Sequence, residues 1–189
     1  MDYYDKNAQE FFDKTVNADM SQHYAKFLNA IPKNSHILDA GCGSGRDTLM
    51  FLKKGYKVTS IDASIEMCKI ASQYTKQNVI HKRFQEIEFV NQFDGIWASA
   101  SLLHVPSKEI ELVLCKLRKS LKNEGVLYSS FKYGNYEGIR NGRYFNDLTE
   151  ETAQHLFENN DYTILDTWIT EDVRKDRHEE KWVNILVRK

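Results

Sequence analysis

The stretch HILDAGCGSGRDT, from His36 to Thr48, decides the fold class of this chain. Its first residues, His36–Ala40, have the apolar pattern of a buried strand. Three glycines follow, and the residues after them, Arg46–Lys54, have the apolar spacing of a helix. A strand, a glycine turn and a helix start in this order present free backbone N–H groups to a ligand, which glycine lets approach closely.

The rest of the chain alternates predicted strands with predicted helices. Apolar runs predict six further strands, at Lys57–Ile61, Asn78–Lys82, Phe93–Ser99, Gly125–Tyr133, Tyr162–Thr170 and Lys181–Arg188. The alternation favours βαβ units, and the short connection before the last strand favours an antiparallel hairpin at the sheet edge. We therefore predict an α/β, Rossmann-like fold with a mostly parallel seven-stranded sheet, a C-terminal antiparallel hairpin and helices on both faces.

Composition predicts one soluble domain spanning residues 1–189, with 41% hydrophobic and 28% charged residues. A net charge of -1 gives no general attraction for nucleic acid or anionic membranes. No apolar run approaches the roughly 20 residues of a membrane span, and the acidic, helix-patterned start is unlike a secretion signal. Cys42, Cys68 and Cys115 lack metal-type spacing, which favours reduced, buried thiols and no metal site. We expect a cytoplasmic monomer or homodimer.

Asp62 follows the second strand, seventeen residues beyond Gly45. A carboxylate there can accept hydrogen bonds from the two ribose hydroxyls of a nucleoside, or it can cap the next helix. The turn reads G-x-G-x-G followed by Arg46, whereas the dinucleotide fingerprint requires G-x-G-x-x-G. Asp39, just before the turn, suits a cationic ligand better than a pyrophosphate. These details favour an adenosine ligand other than NAD.

Four segments together resemble the class I S-adenosylmethionine-dependent methyltransferases across nearly the entire chain. LDAGCGSG (38–45) looks like their first motif and VTSIDAS (58–64) like their second. FDGIWASASLLHV (93–105) looks like the fourth, and LRKSLKNEGVLYSS (117–130) like the helix and strand that follow. The G-S-G-R-D run is similar to that of the small tellurite-resistance-like and type 11–12 methyltransferases.

The resemblance implies S-adenosyl-L-methionine as cofactor and assigns its binding residues. Asp39 and the glycine loop would contact the methionine portion, Asp62 the ribose and Ala98 with Ser99 the sulfonium surroundings. Arg46 would pair with the cofactor carboxylate, unless it is simply solvated. Many relatives carry an acid after the third strand that holds the adenine amine, and Phe84 or Gln85 stands there instead. The predicted cofactor-binding residues are Asp39, Gly41, Cys42, Gly43, Gly45, Arg46, Asp62, Ala63, Phe84, Gln85, Ala98 and Ser99.

The acceptor side rests on three features. His104, just after the fourth strand, is the candidate general base, with a structural histidine as the alternative. The helices of residues 1–33 are expected to form a lid over the cofactor site, although tyrosines on an apolar stripe also serve packing. The stretch from Lys132 to Thr149 is long for a loop and suggests an acceptor with a flat or anionic part, or else a solvated surface. The predicted substrate-binding residues are Tyr4, Tyr133, Arg140, Arg143 and Tyr144.

The charged turn with Arg174, Lys175 and Arg177 is predicted to be a solvated tip, because acids offset its charge.

These features predict a methyltransferase acting on an O, N or S atom of a small-molecule acceptor. The chain lacks the proline motif of enzymes that methylate exocyclic base nitrogens, and no cysteine stands where pyrimidine carbon-5 enzymes need one. An RNA or protein acceptor stays open, as do a catalytically silent cofactor-binding module and an NAD-dependent oxidoreductase. Nucleic acid is not the expected partner, although an RNA end is not excluded.

Overall fold

A computed structural model describes residues 2–174, 177 and 179–189. Its strands are β1 His36–Ala40, β2 Lys57–Asp62, β3 Val79–His81, β4 Phe93–Ala98, β5 Leu121–Lys132, β6 Glu137–Arg140, β7 Arg143–Asn146, β8 Thr163–Glu171 and β9 Lys181–Arg188. Its helices are α1 Asp2–Lys6, α2 Ala8–Thr15, α3 Ser21–Asn29, α4 Arg46–Lys53, α5 Ile65–Thr75, α6 Ser107–Ser120 and α7 Glu150–Glu158. Single 3-10 turns follow β3, at Phe84–Glu86, and β4, at Leu102–His104.

One seven-stranded sheet organises the molecule, in the order β3-β2-β1-β4-β5-β9-β8. Strands β3, β2, β1, β4 and β5 run parallel to one another, whereas β9 is antiparallel to both β5 and β8. The predicted Rossmann-like sheet with its C-terminal antiparallel hairpin is therefore confirmed. Because the strand order changes direction between β1 and β4, a crevice is expected at the carboxyl ends of these two strands.

Both faces of the sheet are covered because neighbouring residues of each strand point to opposite sides. On one face, Ile37 and Trp97 pack in a cluster with residues of α3 and α4. On the other face, Leu38 and Ile96 pack in a cluster with residues of α6 and α7. The alternation of strand and helix in the sequence thus produces a three-layer structure with an apolar core on each side.

Helix α3 is part of the core beneath β4. Gly95 makes this possible, since a Cβ there would lie 2.7 Å from Cζ of Phe27. Trp97, two residues further along β4, stacks on Tyr128 with ring centroids 4.1 Å apart. The position of α3 is therefore set by ring packing against the middle of the sheet.

Three predictions change in detail. The helices expected within residues 1–33 number three among the described residues, and the first two are separated at Asn7, whose side-chain amide donates to Tyr3 O at 2.7 Å. The expected loop 132–149 contains a two-stranded hairpin, β6–β7, with Tyr144 paired to Ile139. Cys42 and Cys68 are free and buried as expected, but Cys115 is exposed.

The described ranges contain no helix long and apolar enough to cross a membrane. Lys175, part of the predicted solvated tip, lies outside the described residues.

Candidate active site

The glycine turn after β1 adopts backbone angles that are strained for other residues. Gly41, Gly43 and Gly45 have φ values of 82°, 52° and 77°. A Cβ on Gly41 would lie 2.6 Å from Cβ of Ser101. The N–H of Gly41 donates to Ile61 O at 2.9 Å, which ties the turn to the end of β2. Glycine is thus required by conformation and by close packing together.

Asp62 lies beside this turn at the end of β2. Its Oδ2 accepts the N–H of Gly43 at 2.9 Å, and its Oδ1 accepts the N–H of Ser64 at 2.9 Å. Burial raises the pKa of this carboxyl in spite of these donors. Each carboxylate oxygen keeps a further lone pair for a hydroxyl group, so capping and ligand contact are compatible in one side chain.

Arg46 begins α4 at the opposite side of the turn. Its Nε and Nη2 donate to the two carboxylate oxygens of Asp47 at 2.6 and 3.0 Å, and its Nη1 donates to Thr15 O at 3.3 Å. Asp47 also accepts Nε1–H of Trp97 at 2.8 Å and the hydroxyl of Tyr24. Although burial acts in the other direction, Arg46 lowers the pKa of Asp47. The cation is therefore ordered by a buried ion pair.

A cavity of about 800 Å³ lies at the carboxyl ends of the parallel strands, where the fold predicts a ligand. The predicted cofactor-binding residues that line it are Gly41, Cys42, Gly43, Arg46, Asp62, Ala63, Phe84, Gln85 and Ser99. The predicted acceptor-side residues that line it are Tyr4, His104, Tyr133, Arg140, Arg143 and Tyr144. One continuous cavity thus joins the glycine turn to the β6–β7 hairpin.

Three predicted cofactor-binding residues, Asp39, Gly45 and Ala98, do not line the cavity. Asp39 is 2% exposed and accepts a hydrogen bond from the hydroxyl of Thr48, which also bonds Ser60 at 2.8 Å. The carboxylate of Asp39 faces the first turn of α4, and its contact with the cofactor stays a prediction. Burial raises the pKa of this carboxyl.

Phe84 and Gln85 stand in the 3-10 turn after β3. The Phe84 ring approaches to 3.4 Å of the position that a Cβ on Gly41 would occupy. The amide of Gln85 donates to Glu109 at 2.8 Å, which leaves its oxygen as an acceptor. The pair offers an apolar ring and one carbonyl to the cavity.

His104 and Tyr4 connect the N-terminal helices to the loop after β4. His104 Nδ1 lies 2.6 Å from Tyr144 O, which can only accept, so this nitrogen carries the proton. The other ring nitrogen then accepts the hydroxyl of Tyr4 at 2.7 Å. Burial lowers the pKa of His104 to about 4, so the ring is neutral at pH 7. Both ring nitrogens are therefore engaged within the protein.

The β6–β7 hairpin brings two arginines into the cavity wall. Arg143 lies over the rings of Tyr3 and Phe145, with Cζ 4.7 and 5.1 Å from their centroids. Arg140, which is paired with Arg143 across the two strands, lies 4.4 Å from the Phe145 centroid and forms an ion pair with Asp147. The hairpin side chains are therefore held by cation–π contacts and one ion pair.

A cluster of charges near the last strand pair was not identified from the sequence. Lys132 is 9% exposed and bonds both Asp172, at 3.2 Å, and Glu180. Asp172 also accepts from Arg174 at 2.7 Å and from Trp182 at 3.1 Å. These residues line the cavity, so the prediction of a solvated tip is wrong for Arg174. The available signal was a lysine at the end of an apolar strand, which requires a partner when buried.

The donors and acceptors in the cavity fit S-adenosyl-L-methionine. Asp62 brings a carboxylate to the cavity wall, and Arg46 brings a cation. The Phe84 ring adds an apolar surface, so the wall carries the three kinds of group that a molecule with hydroxyls, a carboxylate and a flat base requires. A side chain at position 41 would occupy space next to the Phe84 ring, since its Cβ would lie only 2.6 Å from Cβ of Ser101.

Comparisons with known proteins agree with this reading of the cavity. Residues 37–125 match the family model described as a methyltransferase domain. An uncharacterized methyltransferase of Staphylococcus carnosus (strain TM300) is 30% identical over 172 residues, which cover 83% of each chain. A ubiquinone biosynthesis O-methyltransferase of Rickettsia akari (strain Hartford) is 27% identical over 112 residues, covering 57% of this chain and 42% of that protein. The crystal structure of Burkholderia thailandensis 1,6-didemethyltoxoflavin-N1-methyltransferase, with bound 1,6-didemethyltoxoflavin and S-adenosylhomocysteine, superposes with a TM-score of 0.80 at 21% identity, covering 100% of this chain and 84% of that one.

The fold and the cavity together define a class I, Rossmann-like transferase that uses S-adenosyl-L-methionine. The chain belongs to the methyltransferase family and is an S-adenosylmethionine-dependent methyltransferase.

Proposed function

We propose that this methyltransferase methylates an O, N or S atom of a small molecule. The observation that supports a small acceptor is the position of Tyr4. Its hydroxyl bonds His104 at 2.7 Å, so α1 lies at the cavity wall and is joined to the loop after β4. Asp5 adds a second attachment through the hydroxyl of Ser64 at 2.6 Å. An acceptor held beneath this lid has to fit within the cavity.

The cofactor end of the cavity positions the methyl donor. When bound, S-adenosyl-L-methionine supplies an electrophilic methyl group on its sulfonium, so the protein's contribution is orientation more than activation. Asp62 would accept the ribose hydroxyls, Arg46 would bind the carboxylate, and Phe84 with Gln85 would contact the base. Asp39 would act indirectly, by fixing Thr48 and with it the start of α4.

His104 would act by positioning Tyr4 and not as the base itself. Its Nε2 already accepts the Tyr4 hydroxyl, and burial lowers its pKa to about 4, which makes it a weak proton acceptor at neutral pH. Arg143 donates to the Tyr4 oxygen, which retains one lone pair that can accept a hydrogen bond from the O–H or N–H of an acceptor. Tyr4 would thereby orient the nucleophile toward the methyl group.

Methyl transfer into a fractionated cell extract tests the proposal. The protein is incubated with S-adenosyl-L-methionine carrying a tritiated methyl group, and the label is followed into low-mass, protein and nucleic-acid fractions. We expect label in a low-mass product that separates chromatographically from S-adenosyl-L-methionine, and no such product with the Gly41→Ala variant. Label transferred only to protein or nucleic acid would refute the small acceptor, and label remaining entirely in the donor would favour a catalytically silent module.

A macromolecular acceptor has one observation in its favour. The hairpin exposes Ile139 to 73%, and Tyr133 and Tyr136 to 45% and 42%, beside the cavity. An RNA contact there would depend strongly on salt, which an electrophoretic shift at two salt concentrations measures.

A further inference from the structure

Arg143, on β7, lines the cavity and has no carboxylate partner among the described residues. Its one hydrogen bond within this part of the chain is a long one, 3.5 Å from Nη1 to the Tyr4 hydroxyl. Its Nε is buried and has no hydrogen-bond partner in the same residues. A buried guanidinium donor without an acceptor is costly, and a bound anion would offset that cost.

The neighbouring cations differ from Arg143 in this respect. Arg140 shares an orphaned Nε but is paired with Asp147. Arg174 is paired with Asp172 at 2.7 Å, and Lys132 bonds both Asp172 and Glu180. The charges of these three are compensated within the protein. The charge of Arg143 is left for a ligand.

The surroundings of Arg143 hold the guanidinium in place without neutralising it. Its Cζ lies 4.7 Å from the Tyr3 centroid, 5.9 Å from Tyr4 and 5.1 Å from Phe145. Aromatic faces attract a cation and restrict its motion, but they leave it able to bind a carboxylate through its N–H groups. The Tyr4 hydroxyl that Arg143 contacts also bonds His104, so the cation lies beside the contact between α1 and the loop after β4.

We propose that Arg143 binds a carboxylate group of the methyl acceptor. This inference rests on the proposed function and narrows its substrates to small anions, with Tyr3 and Phe145 contacting an adjoining flat part. The carboxylate of the cofactor is the other source of the same chemistry. Arg46 is the cation that the family resemblance assigns to that group although it is paired with Asp47, so a titration with and without the amino-acid portion has to distinguish the two arginines.

The test compares matched pairs of small molecules that differ only in charge. Benzoate and benzamide, and indole-3-acetate and indole-3-acetamide, are titrated into the protein saturated with S-adenosylhomocysteine, and binding is followed by ligand-observed NMR. We expect each carboxylate to bind about fivefold or more tightly than its amide, in line with a charge-assisted hydrogen bond. In the Arg143→Gln variant this ratio should fall to about one.

Two further variants keep the result interpretable. Arg143→Lys retains the charge and should keep part of the preference, which also covers the case that the glutamine variant fails to fold. Arg188→Gln removes a surface arginine on β9 that pairs with Glu124, and should leave the ratio unchanged. No preference in the natural protein, or a preference that persists in Arg143→Gln, would overturn the proposal.

A second arm identifies the source of the carboxylate. S-adenosylhomocysteine and 5′-methylthioadenosine, which lacks the amino-acid portion, are titrated calorimetrically into both proteins. If Arg143→Gln weakens only the former, Arg143 serves the cofactor and the proposal is wrong. Label appearing in a low-mass product while carboxylates show no preference would refute the anion site and leave the small-molecule activity standing.

Discussion

The two ends of the cavity are built in different ways. The end that we assign to the cofactor is organised by backbone contacts: the glycine turn, its hydrogen bond to β2 and the N–H groups that fix the Asp62 side chain. The acceptor end consists of side chains on a hairpin and a helix, joined by Tyr4, His104 and Arg143. A backbone-built end tolerates little substitution, whereas a side-chain-built end can change its ligand by a few replacements. The first end should therefore determine the cofactor, and the second should determine the acceptor.

Gly41→Ala should produce the largest effect on the cofactor end. A residue with a Cβ at a φ of 82° is strained by about 1–2 kcal/mol, and its Cβ would also lie 2.6 Å from Ser101. We expect S-adenosylhomocysteine to bind about 100-fold more weakly by calorimetry. Gly55→Ala is the control, since Gly55 has a similar φ of 85° but its added Cβ would lie 3.7 Å from the nearest atom, Oδ1 of Asn34. Unchanged affinity in Gly41→Ala would remove the distinction between the two ends.

Asp62→Asn should produce the next largest effect. The amide keeps one acceptor oxygen, so either the Gly43 or the Ser64 N–H loses its partner, together with the charge that strengthens ribose contacts. We expect affinity for S-adenosylhomocysteine to fall about 10- to 30-fold. Asp166→Asn, which removes an exposed partner of Lys26, serves as the matched control. Equal affinity of Asp62→Asn and the natural protein would contradict the ribose assignment.

His104 gives the acceptor end a pH-dependent stability. Burial lowers the pKa of His104 from 6.5 to about 4, so between these values the unfolded chain binds more protons than the folded one. The free energy of unfolding should therefore fall as pH drops from 6.5 to 4, by up to about 1.4 kcal/mol per pH unit from this group.

Urea unfolding at several pH values measures this slope. It should be shallower in His104→Gln and unchanged in the exposed control His155→Gln. Parallel slopes for the natural protein and His104→Gln would show that the ring does not resist protonation when folded.

Glu137→Gln should produce the smallest effect on cofactor binding. Glu137 accepts the hydroxyl of Tyr144 and the N–H of Ser107 at 2.8 Å, so it anchors the hairpin at its exposed side. We expect faster hydrogen exchange of hairpin amides, while affinity for S-adenosylhomocysteine changes less than about threefold. Glu150→Gln on α7 is the control. A larger loss of cofactor affinity would mean that the two ends are coupled.

The fold was predictable because its signals are local. A strand, three glycines and a helix start lie within thirteen residues, from His36 to Thr48, and apolar spacing marks the other strands. The direction of Asp39 was not predictable, because an acid before a glycine turn looks the same whether it faces a ligand or Thr48. The contact between Tyr4 and His104 is also invisible in sequence, since these residues are 100 positions apart.

The charged cluster at the acceptor end was missed for a related reason. Lys132 and Asp172 are separated by 40 positions, and a turn rich in both signs of charge has the composition of a solvated tip. The pairing of β9 with both β5 and β8 brings these groups together, since Lys132 lies opposite Trp182 and Glu171 lies opposite Lys181. Charges that meet through sheet pairing leave no local pattern.

The place of β9 in the sheet has a consequence for how the chain assembles. β8 is made before β9, yet it joins the sheet only through β9, which lies between it and β5. During synthesis β5 therefore has an unpaired edge until residues 181–188 emerge, and β8 has no strand to pair with. We expect the β8–β9 hairpin to dock as one unit late in folding, so that a nascent chain ending near residue 180 would be a substrate for chaperones.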